Sequence, residues 1–254
     1  MKIVPKPIAL VTLLCCWGCA HAQTDEIQVY DATIADQGQF EVEFHNNFTP
    51  IGRKTADHPS GVVPDYAWNG VPEFSYGVTD SFEAGLYLPA YTITRNGRAE
   101  FDSAKIRALF VASHVAQRIF FYGINFELSY NALHWEPTRL SGEVRPIAGL
   151  HLGAWDLIVN PIIDTDFKGI GRLDFAPAER VAYNLSPFWA VAVEHYAEFG
   201  SFADLHSVAD QGQTLLAVAD YKREDQYNVE IGVGHGFTMD SDGLVLKLMV
   251  GLNL

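Results

Sequence analysis

The stretch that decides the fold closes the chain and alternates in polarity: Leu244-Val245-Leu246-Lys247-Leu248-Met249-Val250-Gly251-Leu252-Asn253-Leu254. Every second residue from Leu244 is a leucine or valine, and the residues between them are mixed. A β-strand places alternate side chains on opposite faces, so this strand has one aliphatic face and one mixed face. A transmembrane β-barrel has this pattern, because one face of each strand meets lipid and the other meets a polar lumen.

The N-terminus predicts export to an envelope compartment. Lys2 and Lys6 flank the start of the chain, and Ile8 to Trp17 is an apolar stretch too short to span a bilayer. Ala20-His21-Ala22 then places small residues at the two positions that a signal peptidase reads. We therefore predict that residues 1–22 are a cleaved signal peptide.

All three cysteines, Cys15, Cys16 and Cys19, lie in this leader. The mature chain would have no disulfide, thiolate metal site or cysteine nucleophile. A lipoprotein anchored through Cys19 is a weaker alternative, because Cys16 occupies the position where a small aliphatic residue is expected. After cleavage, residues 23–37 are predicted to form a polar periplasmic lead-in, part of it ordered in the barrel mouth.

The charge of the chain excludes some partners. The formal net charge is −14, and loss of the leader, which carries Lys2 and Lys6 and no acidic residue, makes it −16. This balance argues against nucleic acid and anionic lipid surfaces as ligands. No later apolar run approaches the roughly twenty residues of a membrane helix. A membrane location therefore requires a closed barrel, because open sheet edges cannot lie unpaired in lipid.

Residues 38–254 read as one all-β domain, an antiparallel up-and-down barrel of about twelve strands. The strands are predicted to start near Gln39, Val71, Phe82, Ser103, Ile119, Leu140, Ala154, Arg172, Phe188, Gln213, Gln226 and Gly243. Long and short connections alternate, as they do in barrels with short periplasmic turns and longer outer loops. A soluble β-sandwich or lipocalin-like barrel is the alternative, since it also alternates.

Aromatic residues near the segment boundaries favour the membrane barrel. Such residues form girdles at the two membrane interfaces. The set comprises Tyr76, Phe82, Tyr87, Tyr91, Trp135, Trp155, Phe188, Trp189, Tyr221, Tyr227 and Phe237.

The same alternation assigns charged side chains to the lumen. The predicted lumen-lining residues are Glu41, Glu43, Lys105, Arg107, Glu127, Glu143, Arg145, Glu194, Glu230 and Lys247. Two positions resist the rule: Glu179 falls on the outward face, which suggests a bulge near Pro177, and the register of Thr214–Tyr221 is ambiguous. The inward charges fit either a salt-bridged plug or a small aqueous channel that favours cations or neutral solutes. In both cases we expect a substitution such as Lys247→Leu to alter only the lumen.

No catalytic or metal motif stands out. The eight histidines after the leader form no HExxH and no close ligand pair, and no G-x-S-x-G occurs. Glu194 and His195 are adjacent, which would place them on opposite faces of a strand. We therefore predict no enzyme activity, no cofactor and no metal, although a triad drawn from separate strands would be invisible in sequence.

Two stretches carry a resemblance to a known family. The first is Gly38 to Phe48, GQFEVEFHNNF; the second is Pro72 to Pro89, PEFSYGVTDSFEAGLYLP, with a G-x-T-D turn followed by F-E-x-G-x-x-L-P. Together they resemble the outer-membrane β-barrel family named for the MetA pathway of phenol degradation. The resemblance covers about a quarter of the mature chain and implies transport of hydrophobic or aromatic small molecules. It implies no catalytic residues.

These observations predict an outer-membrane channel or uptake porin for small, hydrophobic or aromatic molecules in the bacterial outer membrane. A lipid-modifying barrel enzyme and a closed structural barrel without transport are the alternatives. The expected partners are outer-membrane lipid, a small-molecule solute and, through the C-terminal strand, the barrel-assembly machinery.

Overall fold

The computed structural model describes residues 26–223 and 226–254. The predicted signal peptide and the start of the lead-in lie outside these residues. The rest forms a closed antiparallel β-barrel of twelve strands, so the predicted fold class is confirmed. Each strand pairs with its neighbours in sequence, and the first strand pairs with the last through pairs such as Phe44 with Val250. Within the described parts of the chain, no helix is long and apolar enough to cross a bilayer.

The barrel strands are numbered in chain order. They are β1 Phe40–Ile51, β2 Ala67–Thr79, β3 Phe82–Ile93, β4 Ala99–Val111, β5 Phe120–Asn131, β6 Leu140–Leu152, β7 Trp155–Asn160 continued by Ile163–Thr165, β8 Ala178–Asn184 preceded by Asp174–Phe175, β9 Trp189–Glu198 continued by Gly200–Ser201, β10 Gly212–Arg223, β11 Tyr227–Gly236 and β12 Leu244–Asn253. A further short strand, Asp204–Leu205, pairs with Gly200–Ser201, and 3-10 turns occur at Val115–Gln117 and Ile170–Arg172.

Most strands begin within two residues of the predicted start, but β2 and β4 begin four residues earlier than expected. In β2 the extension contains Asn69-Gly70, a pair that reads as a turn in sequence. Pairing on both sides keeps it extended: Asn69 lies opposite Asn47 of β1 and Thr92 of β3. The outer ends of these strands are therefore longer than the local sequence indicates.

The bulge predicted near Pro177 does not occur. Asn160 pairs with Ala178 and Ile163 pairs with Phe175, so β7 and β8 keep one register across Pro177. Proline lacks an N–H and interrupts the hydrogen bonding without shifting the pairing. Glu179 therefore stays on the outer face. In β10, Leu216 is buried on the inner face, which resolves the ambiguous register.

The outer surface is apolar, with aromatic residues at the end that carries the short turns. Ring pairs follow this rim, among them Phe40 with Tyr76, Phe82 with Phe110, Trp155 with Tyr183, and Trp189 with Tyr221, at 4.5–4.8 Å between centroids. This is the arrangement of a membrane-interface girdle. Two predicted members are wrong: Trp135 is buried in the connection between β5 and β6, and Tyr87 is fully buried and faces the lumen. The sequence places it next to a Leu-Pro pair, where the register with β4 shifts.

Candidate functional site: the charged lumen

Residues 26–37, here called the inserted segment, run into the barrel from the short-turn end. Gly38 N donates to Gly77 O at 2.8 Å, and Gln37 bridges to Gly77, so the segment enters beside β2. A Cβ at Gly77 would lie only 2.2 Å from the carbonyl oxygen of Asp36, so the entry requires glycine there. Gly77 of the G-x-T-D turn therefore makes room for this segment.

Tyr30 anchors the inserted segment deep in the lumen. Its backbone exchanges two hydrogen bonds with the Asn160 side chain, at 2.7 and 3.0 Å. Its hydroxyl lies 2.6 Å from the Tyr87 hydroxyl and donates to Glu127 at 3.2 Å. Val29 and Tyr30 also join an apolar cluster with Leu109, Phe121, Ile147 and Ile158 of the barrel wall. The segment is thus held by both apolar burial and directed hydrogen bonds.

The charges around the segment form a first group, the segment cluster, which consists of Glu26, Lys105, Glu127, Glu143 and Arg145. Lys105 Nζ lies 3.2 Å from Glu26 and 3.3 Å from Glu127. Arg145 binds Glu143 with two nitrogens, at 2.6 and 3.0 Å, and lies 3.5 Å from Glu26. Glu26 belongs to the inserted segment, so this cluster joins the segment to the wall.

Arg107 organises the lumen between β2, β3 and β4. Its Nη2 lies 2.5 Å from Glu73 Oε1, contacts Glu83 and donates to Ser75 at 3.0 Å. Glu83 in turn accepts the backbone N–H of Ala35 at 2.5 Å. Gly85 is the second glycine of the family-like motif, and a Cβ there would lie 2.7 Å from Arg107 Nε. The motif therefore shapes the space that Arg107 occupies.

A second group, the wall cluster, lies on the opposite side and consists of Arg180, Glu194, Asp220, Glu230 and Lys247. Arg180 contacts Glu194 and Asp220 and lies 3.2 Å from Glu230. Lys247 Nζ lies 2.8 Å from Glu194 and also contacts Glu230. All five residues come from β8 to β12. The wall cluster therefore spans the lumen side of five strands without any contribution from the inserted segment.

The structure places all ten predicted lumen residues on the inner face. Lys105, Arg107, Glu127, Arg145, Glu194 and Lys247 are buried, and Glu41, Glu43, Glu143 and Glu230 are partly exposed within the barrel. The sequence reasoning missed six residues that share these networks: Glu26, Tyr30, Glu73, Glu83, Arg180 and Asp220. For Glu73 and Glu83 the signal was present, because both alternate with outward apolar residues.

The pairing in the wall cluster changes the expectation for Lys247. Its ammonium is fully buried between two carboxylates. Removal of one partner from a buried ion pair leaves an uncompensated charge, which costs about 3–5 kcal/mol. Lys247→Leu is therefore expected to affect the stability of the barrel as well as its lumen.

A cavity of about 80 Å³ lies between the inserted segment and the wall. Five carboxylates and one guanidinium line it: those of Asp31, Glu41, Glu43, Glu73, Glu83 and Arg107. The excess of acidic groups gives this part of the lumen a negative potential.

On the outer face of the described strands, Glu179, His195 and Gln213 form a polar trio. His195 Nδ1 lies 2.8 Å from Glu179, and Nε2 lies 2.7 Å from Gln213. Glu194, the neighbour of His195, faces the lumen as expected. Neither partner of the His195 ring carries a hydroxyl or a thiol, so the trio lacks the nucleophile of a Ser-His or Cys-His acyl-transfer site.

The fold is a closed twelve-stranded β-barrel with an apolar outer face and a charged lumen, and outer-membrane porins and channels share this fold. The chain is similar to the COG4313 outer membrane channel from Pseudomonas putida F1, with a TM-score of 0.59 and 12% identity over 90% of this chain and 100% of that one. It is also similar to the KdgM porin (TM-score 0.56, 9% identity, 84% and 99% covered) and to the NanC porin (TM-score 0.55, 7% identity, 85% and 100% covered).

No protein-family model and no curated protein matches the sequence. At the identities of the structural neighbours, the likeness concerns the fold. The family named for the MetA pathway stays a prediction of the two sequence motifs.

Proposed function

We propose that this protein is an outer-membrane channel for small molecules, closed at rest by the inserted segment. The observation that carries the proposal is the lumen itself. Ionisable side chains line it along the barrel, while the outer face is apolar. Ionised groups inside a membrane are costly, and those that occur commonly mark a path for ions or solutes. The similarity in fold to porins and a channel supports the same function.

The lumen lining favours small cationic or neutral polar solutes. The cavity beside Arg107 has more carboxylates than bases, so cations would be concentrated there and anions repelled. Aromatic solutes are the class implied by the sequence resemblance. The ring of Tyr87, whose hydroxyl loses its Tyr30 partner when the segment withdraws, would offer them one aromatic contact. Location in the bacterial outer membrane, contact with its lipid and insertion by the barrel-assembly machinery belong to the same proposal.

Opening would require the inserted segment to withdraw towards the short-turn end. Its contacts are ion pairs, hydrogen bonds and apolar packing, all of which are reversible. Tyr30 makes the largest share of the directed contacts, so weakening Tyr30 should shift the population towards an open lumen.

Planar-bilayer recording of the full chain tests this function. We expect brief openings from the wild type and more frequent openings from Tyr30→Ala, with a modest cation preference that weakens as salt rises. Tyr122→Ala is the matched control, because Tyr122 is an exposed tyrosine on the outer face. Anion selectivity, or equal behaviour of the two variants, would contradict the proposal.

A closed structural barrel is the second candidate. It is favoured by the dense ion pairing of both clusters and by the inserted segment. It predicts no conductance from Tyr30→Ala, even when heat-modifiable migration on a gel shows that the variant is folded.

A further inference from the structure

We propose that Glu43, His45 and Glu73 form a binding site for one divalent transition-metal ion of the zinc class, with Gln28 of the inserted segment as an additional donor. The sequence analysis predicted no metal site, because no two histidines have ligand spacing. The site instead combines one imidazole with two carboxylates, and the pairing of β1 with β2 brings them together. Glu43 and His45 are alternate inward residues of β1, and Glu43 lies directly opposite Glu73.

The donor atoms have the separations of a coordination shell. His45 Nε2 lies 3.2 Å from Glu73 Oε2 and 3.8 Å from Glu43 Oε2, and all three ligand atoms lie within 4.8 Å of one another. Ligands bound to Zn²⁺ at about 2.0–2.2 Å are about 3.0–3.5 Å apart. A small inward adjustment of Glu43 would complete this geometry.

The remaining contacts of Glu73 leave the donor atom available. Arg107 Nη2 and the Ser75 hydroxyl both bind Oε1 of Glu73, at 2.5 and 3.2 Å. Oε2 faces His45. Arg107 thus orients the carboxylate from its far side, which is the usual role of a group that supports a metal ligand.

Two buried polar atoms at this place have no hydrogen-bond partner among the described residues. One is Nδ1 of His45, a side chain that is 1% exposed. A metal-free ion pair would require an imidazolium, whose Nδ1–H would then be buried without an acceptor. A neutral imidazole that binds the ion through Nε2 also carries its proton on Nδ1, so it leaves the same N–H without an acceptor and differs from the ion pair in burying one fewer charge on the ring.

The second atom is Oε1 of Gln28. The other end of this amide, Nε2, lies 3.4 Å from Glu43 Oε2. The two ends of an amide are assigned from hydrogen bonding, and a half-turn would bring the oxygen beside Glu43. The unpartnered oxygen would then face the ion.

The neighbouring cavity provides both charge and access. Glu41 and Glu83 line it together with Glu43 and Glu73, against the single guanidinium of Arg107. A divalent cation would offset part of this excess, and the cavity of about 80 Å³ has room for water to complete the shell. A bound ion would also tie the inserted segment to β1 and β2 through Gln28.

Calorimetric titration with Zn²⁺ tests the site in the full chain, solubilised in detergent and stripped with a chelator. We expect one ion per chain. His45→Gln and Glu43→Gln should each weaken binding by at least about 10- to 100-fold, because each removes a ligand and loss of even a supporting group at a metal site costs that much. His235→Gln is the matched control, because His235 lies elsewhere, with Nδ1 2.6 Å from Gly243 O. It should bind as the wild type does.

A spectroscopic measurement avoids the risk that the buried variants do not fold. Cu²⁺ bound to the wild-type protein should show coupling to a single imidazole nitrogen by electron paramagnetic resonance. Absence of stoichiometric Zn²⁺ binding by the wild type would overturn the proposal. The proposal would also be overturned by coupling to two or more imidazoles, or by an unchanged affinity for Zn²⁺ in folded His45→Gln and Glu43→Gln. The binding readout does not depend on conductance, so its failure would leave the channel function standing.

Discussion

The two halves of the lumen are closed in different ways. On the side of β8 to β12, the wall cluster joins strands to one another: Arg180 alone contacts three carboxylates from three other strands. On the side of β1 to β7, the segment cluster depends on Glu26, which pairs with Lys105 and Arg145 but belongs to the inserted segment and not to a strand of the wall. The charges in one half are thus paired within the barrel wall, and those in the other half depend on a segment that could withdraw. The same segment also packs Ile27 against apolar inner residues of β8 to β10.

This difference separates stability from gating. Removal of a charge from the wall cluster should destabilise the whole barrel, because its unpaired partners stay buried in the wall. Removal of a charge from the segment cluster should chiefly loosen the segment, because withdrawal exposes the remaining charges to water and relieves the penalty. Substitutions at matched positions in the two halves test whether barrel stability and segment release respond separately.

The largest loss of barrel stability is expected for Arg180→Gln. Three carboxylates would lose their common partner, and loss of one partner in a buried ion pair costs about 3–5 kcal/mol. Thermal unfolding in detergent, followed by heat-modifiable migration, measures the change. Arg98→Gln is the control: Arg98 is exposed in an outer connection and pairs with Glu100 at 2.7 Å, so we expect about 0–1 kcal/mol. Equal losses would show that the wall cluster is not a structural unit.

The second largest effect, a loss of assembly into the membrane, is expected for a charge on the outer face of β12. Leu248 lies next to Lys247 on β12 but faces outward. Leu248→Arg places a charge on the lipid face, at a cost of about 2–4 kcal/mol near the bilayer centre. Assembly into the membrane fraction should fall, whereas Leu248→Met should behave as the wild type. An undiminished yield of folded Leu248→Arg would mean that this face does not meet lipid.

Lys105→Met tests the half of the lumen that contains the segment cluster. Glu26 would keep Arg145, and Glu127 would keep the Tyr30 hydroxyl and the Asn125 amide, which donates at 2.9 Å. We therefore expect a smaller loss of barrel stability than for Arg180→Gln, together with faster proteolysis of residues 26–37 and more frequent channel openings. A loss as large as that of Arg180→Gln, with the segment still protected, would remove the distinction between the two halves.

The sequence predicted the strands of the barrel wall better than it predicted the segment and the ion pairs that fill the lumen. Strand alternation is a local property, so the inward direction of residues such as Glu127 and Lys247 follows from a few neighbours. The position of the inserted segment depends on contacts across more than a hundred residues, such as Tyr30 with Asn160, for which a non-periodic stretch gives no signal. The pairing of Arg180 with Glu230 likewise depends on the shear of the closed barrel. The proximity of Glu43, His45 and Glu73 depends on the register between β1 and β2, which the sequence alone does not specify.

The smallest change in stability is expected at the outer rim of the barrel, where the Asp65 carboxylate is paired with the exposed side chains of Lys54 and Arg95. Asp65, in the loop of residues 52–66, accepts hydrogen bonds from Lys54 and Arg95 and from the backbone N–H of Gly52 at 3.2 Å. The hydrogen bond from Lys54, followed by that from Gly52, lowers the pKa of Asp65 below its ordinary value of about 4. Its contribution is therefore complete above that ordinary value and is lost as the pH falls through the lowered pKa.

We accordingly expect hydrogen exchange in residues 52–66 to be unchanged between neutral pH and pH about 5 and to rise only well below pH about 4, after correction for the intrinsic rate. Asp65→Asn should show the faster loop exchange already at neutral pH, because an amide accepts these bonds without charge. The wall strands should exchange slowly in both proteins, since their pairing does not involve Asp65. Loop exchange that already rises between neutral pH and pH about 5 would contradict the assignment of this effect to Asp65.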